Sequence, residues 1–214
     1  SVLAGTLHHL AINASVINLI SAGSTLQSLT VAPRDSYENV VQNVSGSLTV
    51  SIAAGSDSSC ATAAPSGISL FPSNTGPMPA DSGNFSVSGG SASVAGIQIT
   101  RAGTWRLKIQ GNNGLAGYSI CSAPFTVYPT TASQIAFAVQ PSSSATAGSA
   151  LFQVPVVEVR DTYGNRVTGE SGSIGLGAAS VLNSGTLDLS GSLTTAAGAT
   201  TVTGGQATLS GLDR

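Results

Sequence analysis

The chain has 214 residues, of which 41% are hydrophobic and only 7% are Asp, Glu, Lys or Arg, with a formal net charge of -2. That hydrophobic share excludes a disordered chain, which combines low hydrophobicity with high charge. The few scattered cations exclude the basic footprint on which nucleic-acid binding depends, and no apolar run reaches the roughly 18 to 20 residues of a membrane-spanning helix.

The first segment, LAGTLHHLAI (3–12), contains both histidines, His8 and His9. On a strand, neighbours point to opposite faces, which is poor geometry for holding one metal ion, so both read as surface or partly buried residues. A short apolar run, Val16-Ile17-Asn18-Leu19-Ile20, follows. Residues 31–41 read VAPRDSYENVV: a strand ends on Arg-Asp, and the Asp35 carboxylate is placed to accept backbone N–H groups of the polar turn. That role is preferred to calcium binding. Leu48, Val50 and Ile52 alternate with Thr49 and Ser51, the pattern of a half-buried strand.

In VSGGSASVAGI (87–97), Gly89-Gly90 makes a tight turn before a strand that carries Ala92 and Val94 toward the core. A further strand alternates Trp105, Leu107 and Ile109 with Arg106 and Lys108, and another lies near Phe125 to Val127. Helix formers are sparse, and Gly or Pro interrupts nearly every stretch, so the expected class is all-β.

The second half repeats the first. VEVRDTYGNRV (157–167) matches 31–41, VTGGQATLSGL (202–212) matches 87–97, and IAF (135–137) with AGS (147–149) matches LAI (10–12) with AGS (22–24). Such recurrence in one order is the mark of a tandem repeat, with Asp161 in the place of Asp35. The segment YPTTAS (128–133) reads as a Pro/Thr linker, which puts one domain at 1–129 and a second at 130–214.

Cys60 and Cys121 both fall in the first domain, at a spacing unlike any metal knuckle, and read as a disulfide rather than two free thiols. A closed loop of about 60 residues stabilises by roughly 4 kcal/mol in the chain-entropy model, and the bond implies an oxidising compartment. Asn13-Ala14-Ser15, Asn43-Val44-Ser45 and Asn84-Phe85-Ser86 are N-glycosylation sequons, giving Asn13, Asn43 and Asn84 as candidate glycan sites. Acidic residues are scattered, and no G-x-S-x-G elbow or phosphate loop is present. The reading is non-enzymatic, with no metal and no cofactor.

At RDTYGNRV (160–167) and GGQATLSGL (204–212) the second domain resembles the Ig-like repeats of large surface proteins, namely bacterial adhesins of the invasin type and filamin-like extracellular repeats. The first domain carries the related AGT segment at 102–104 and departs from the pattern with Glu38 where Gly164 stands. The resemblance implies two tandem immunoglobulin-like β-sandwich domains that act as spacer, fibre or adhesive modules, without a catalytic site.

Leu212 is the counterpart of Ile97, after which the first domain continues for about thirty residues. The second domain is therefore expected to lack its last strands. LAGTLHHLAI (3–12) is similar to RAGTWRLKI (101–109), so residues 1–20 of one copy are candidates for completing the second domain of another by strand addition. Two other readings stand beside it: residues 10–12 form the first strand of their own domain, or the joint is covalent within a longer array. The function expected is a structural subunit of an extracellular filament or cell-surface array that assembles head to tail with copies of itself by β-strand complementation. The alternative is a ligand-binding adhesin module.

Overall fold

The computed structural model describes residues 3–13, 19–64, 82–144, 146, 152–174, 200–202 and 206–208. Among them the chain is all-β, with a single 3-10 turn at Asn113–Leu115, and it divides into two units, Ser1–Tyr128 and Pro129–Arg214. The division falls inside the Pro/Thr segment, whose fixed proline geometry and missing N–H suit a joint better than a ladder.

The first unit contains β1 (His9–Ile12), β2 (Ile20–Ser21), β3 (Leu29–Arg34), β4 (Gly46–Ala54), β5 (Ser82–Val87), β6 (Ala92–Val94), β7 (Gly103–Asn112), β8 (Ser119–Cys121) and β9 (Phe125–Tyr128). One sheet has the order β1-β3-β6; the other has the order β2-β9-β7-β4-β5, with β8 also paired to β7. Leu10, Leu29, Val31 and Val94 of the first sheet share one buried cluster with Leu48, Val50, Leu107, Ile109, Phe125 and Val127 of the second. Two sheets closing on a common apolar layer is the arrangement of a β-sandwich.

Period-two alternation explains that layer. Along β7, Trp105, Leu107 and Ile109 are buried while Arg106, Lys108 and Gln110 face outward, and β4 buries Leu48, Val50 and Ile52 in the same way. Leu48, Val50, Leu107 and Ile109 are each 0% exposed, so each contributes about 1.5–3 kcal/mol as an upper bound. The predicted Gly-Gly turn is present: Gly89 and Gly90 have φ of 60° and 78°, and Ser88 bridges Ser91 around them. Positive φ at both central residues matches the right-handed twist of the flanking strands. Ala92 and Val94 then point into the core.

The second unit contains β10 (Gln134–Val139), β11 (Val156–Arg160), β12 (Gly172–Ile174), β13 (Thr200–Val202) and β14 (Gln206–Thr208). Its pairings, β10-β11-β14 and β12-β13, repeat β1-β3-β6 and β4-β5. The registers coincide as well: Val31 opposes Ala92 as Val157 opposes Ala207, and Gly46 opposes Val87 as Gly172 opposes Val202. Among the described residues nothing stands in the place of β7, β8 or β9. Gly204-Gly205 and Leu209 lie outside the described residues.

Residues 3–12 do not take the role of 101–109. His9–Ile12 pairs antiparallel with β3 in its own unit, and Leu10 is 2% exposed, so the LAI/IAF match gives the right assignment and the AGT match does not. The donor role expected of residues 1–20 is thus corrected over 9–12, which already serve as a first strand. Ile20–Ser21 pairs in parallel with β9, while residues 1, 2 and 14–18 lie outside the described residues. No described helix is long and apolar enough to cross a membrane.

Candidate functional site

The most fully built polar feature is a carboxylate-centred turn that occurs once in each unit. After β3 the chain leaves the sheet at Asp35, and after β11 it leaves at Asp161; the two are 1% and 0% exposed. A buried carboxylate needs hydrogen-bond partners, because an unpaired charge in a low-dielectric interior is costly. Asp35 Oδ1 accepts from the backbone N–H of Tyr37 at 2.8 Å and of Asn39 at 2.9 Å, and Oδ2 accepts from Asn39 Nδ2 at 3.0 Å and from Gly5 N at 2.8 Å. Asp161 repeats the set with Tyr163 N at 2.9 Å, Asn165 N at 2.8 Å, Asn165 Nδ2 at 2.9 Å and Thr130 N at 2.9 Å.

The backbone closes the same loop in both places. Asp35 N donates to Asn39 O and Glu38 N to Asp35 O; Asp161 N donates to Asn165 O and Gly164 N to Asp161 O. Glu38 and Gly164 hold the left-handed position, with φ of 67° and 83°. Each carboxylate therefore does two jobs: it staples its turn and it anchors the segment that leads into the first strand of the unit, Gly5 ahead of β1 and Thr130 ahead of β10.

These donors set the charge. The Gly5 N–H, then the Asn39 side chain, hold Asp35 well below the usual carboxylate range. Burial by itself pushes Asp161 up, but the Asn165 side chain and the Thr130, Asn165 and Tyr163 backbone N–H groups together outweigh it and bring Asp161 below its ordinary value. Both stay ionised at neutral pH with their oxygens occupied by N–H donors, which suits an anchor and leaves little basicity for proton transfer.

A third carboxylate, Asp57, was not singled out by its local sequence. It accepts from Ser59 Oγ at 2.5 Å, Ser59 N at 2.9 Å and Thr62 N at 2.7 Å, and these bonds, led by the Ser59 hydroxyl, lower its pKa. The turn it closes presents Cys60 to Cys121: the two are disulfide-bonded, with Cα atoms 5.8 Å apart, tying β8 to the segment after β4.

The other predicted residues are dispersed. Asn13 follows β1 and accepts from Arg34 Nη2 at 2.8 Å; the rest of its sequon, Ala14-Ser15, lies outside the described residues. Asn43 is exposed between β3 and β4. Asn84 is exposed on β5 and accepts from Thr49 Oγ1 at 2.8 Å. His8 and His9 do not point to opposite faces: their Nδ1 atoms lie 3.3 Å apart, because His8 precedes β1 and strand alternation does not bind it. His9 Nε2 also lies 3.2 Å from the Glu38 carboxylate. Among the described residues no group of three or more His, Cys, Asp and Glu is placed to hold a metal ion.

No protein-family model matches the chain, and no curated protein sequence matches it.

Proposed function

We propose that this chain is a structural subunit of an extracellular fibre or cell-surface array, built from tandem immunoglobulin-like sandwich units joined head to tail and completed by strands shared between neighbours. The carrying observation is that one construction recurs in both units: the same strand pairings, the same registers and the same carboxylate staple on the lead-in segment. Each staple fixes the lead-in segment of its own unit to the end of β3 or β11, and a construction that recurs unit by unit suits a repeat of an array.

Three further features support an extracellular setting. The Cys60–Cys121 bond suits an oxidising compartment, and a surface with few charges leaves little repulsion between adjacent copies. The exposed sequon residues Asn43 and Asn84 offer N-glycan sites on that surface. The test is immunogold labelling of intact source cells with antibodies raised against residues 1–214. Gold along surface fibres or a surface layer is expected; label confined to the cell interior overturns the proposal.

A further inference from the structure

We infer that His8 and His9 form a two-nitrogen chelating site for a divalent late transition-metal ion of the zinc type, with Glu38 as the positioning carboxylate behind His9. The inference stands apart from the array reading and concerns the first unit alone.

The backbone brings both rings to one place. His8 lies just before β1 and its N–H donates to Arg34 O at 2.8 Å, while His9 opens β1 opposite Arg34. Alternation separates neighbouring side chains within a strand, and His8 is outside that rule. The two Nδ1 atoms are 3.3 Å apart, with the rings at 86° to each other. A tetrahedral zinc ion with Zn–N bonds of about 2.0–2.1 Å holds two nitrogen ligands about 3.3–3.4 Å apart. The separation of the two nitrogens therefore matches one edge of a zinc tetrahedron.

The polar surroundings decide which nitrogens are available. His9 Nε2 lies 3.2 Å from the Glu38 carboxylate, which places the His9 proton on Nε2 and leaves the Nδ1 lone pair free. A carboxylate behind the ring is the usual means of orienting a metal-binding imidazole. In the metal-free chain His8 Nδ1–H then donates to His9 Nδ1. Metal binding replaces that hydrogen bond: His8 takes its other neutral tautomer, with the proton on Nε2, and both Nδ1 lone pairs bind the ion. Glu38 also balances the charge of Arg34, whose Nε lies 3.8 Å from its second oxygen.

Donor chemistry selects the ion. Imidazole nitrogen suits zinc, copper and nickel, whereas calcium and magnesium are held by sets of oxygen ligands. Among the described residues no third His, Cys, Asp or Glu joins the pair as a ligand. His8 is exposed, so water fills the remaining positions.

The chain has only these two histidines and no free cysteine, so histidine ring signals report this site alone. The test is zinc chloride titration of the nitrogen-labelled full chain, followed by long-range proton–nitrogen NMR correlation spectra. Saturable shifts of both Nδ1 resonances at the same zinc concentrations are expected, with no histidine response to calcium chloride. Isothermal titration calorimetry should show zinc binding at least tenfold weaker in His8→Gln and in His9→Gln, and about tenfold weaker in Glu38→Gln. The zinc-free Glu38→Gln chain should also show a mixed His9 tautomer, which a merely structural role for Glu38 would not produce. Parental urea transitions of the zinc-free variants, followed at Trp105, separate these losses from unfolding. No saturable response, a response of one histidine alone, coordination through Nε2, an equal response to calcium, or undiminished binding by His8→Gln and His9→Gln overturns the inference.

Discussion

Replacing both Cys60 and Cys121 by Ser probes how much of the first unit depends on its covalent staple. The bond spans 61 residues of sequence, and in the loop-entropy description a closure of that length restrains the unfolded chain by about 4 kcal/mol at 25 °C. The native arrangement changes little in the variant, because β8 keeps its pairing to β7 through Lys108, Ile109 and Gln110 and Asp57 still closes its turn. The loss therefore acts mainly on the unfolded state. Trp105 is the sole tryptophan and is 7% exposed in the first unit, so its fluorescence during urea unfolding follows this unit alone. With a slope of about 1.5–2 kcal/mol per molar urea, the midpoint should fall by about 2–3 M. A fall of less than about 0.5 M would refute the loop-entropy reasoning, because the restraint would then be worth under about 1 kcal/mol.

Asp161→Ala removes the acceptor for the Thr130, Tyr163 and Asn165 backbone N–H groups; a loss of about 3 kcal/mol in the second unit is expected. It is read as hydrogen exchange on the order of a hundredfold faster at Tyr163 and Asn165. Because Asp35, Asp57 and Asp161 have pKa values lowered from 3.8 by folding, their stabilisation is fully present above that value. It is lost as pH falls through the lowered values, so unfolding midpoints should drop between pH 4 and pH 2, and Asp35→Asn should flatten that slope. Gly89→Ala should cost only about 1 kcal/mol, the left-handed backbone penalty, since a Cβ there meets nothing within 4 Å. Gly90→Ala should cost more, because its Cβ falls 2.8 Å from Val40 Cγ1; thermal midpoints of the two variants give the comparison.

Much of the architecture was legible because alternation and repetition are local signals. Leu48-Val50-Ile52 and Trp105-Leu107-Ile109 announce strands by themselves, and the two RDxYxN blocks announce a common turn. Other features depend on contacts distant in sequence. Gly5 lies 30 residues from Asp35 and Thr130 lies 31 from Asp161, so the turn could be read from sequence and its hold on the lead-in segment could not. The AGT at 4–6 and at 102–104 is one tripeptide in two settings: the second opens the longest strand of the first unit, and the first sits under the Asp35 staple, outside any strand. A short motif in a Gly- and Thr-rich chain cannot distinguish those settings. Alternation likewise misplaced His8, because the rule applies within a strand and β1 begins at His9. Asp57 was overlooked because Asp beside Ser is unremarkable in a Ser-rich sequence, although its Asx-type bond to Ser59 N is what the pair favours.

The contrast between Glu38 and Gly164 shows what the repeat preserves. Both residues occupy the left-handed corner of the same turn, a conformation that costs a side chain about 1–2 kcal/mol and costs glycine almost nothing. In the second unit glycine removes the cost. In the first, Glu38 sits 3.2 Å from His9 Nε2 and 3.8 Å from Arg34 Nε, and Arg34 Nη1 donates to the Glu38 carbonyl. Exposed contacts of this kind are individually worth at most about 1 kcal/mol, comparable to the strain of the corner they surround. They also draw His9, the first residue of β1, to the tip of the turn that follows β3. The buried aspartate with its four N–H donors is constant, and the corner residue varies as long as it can hold positive φ. What passes from one unit to the next is the geometry that fixes the lead-in segment to the end of β3 or β11, and two different corner chemistries both satisfy it.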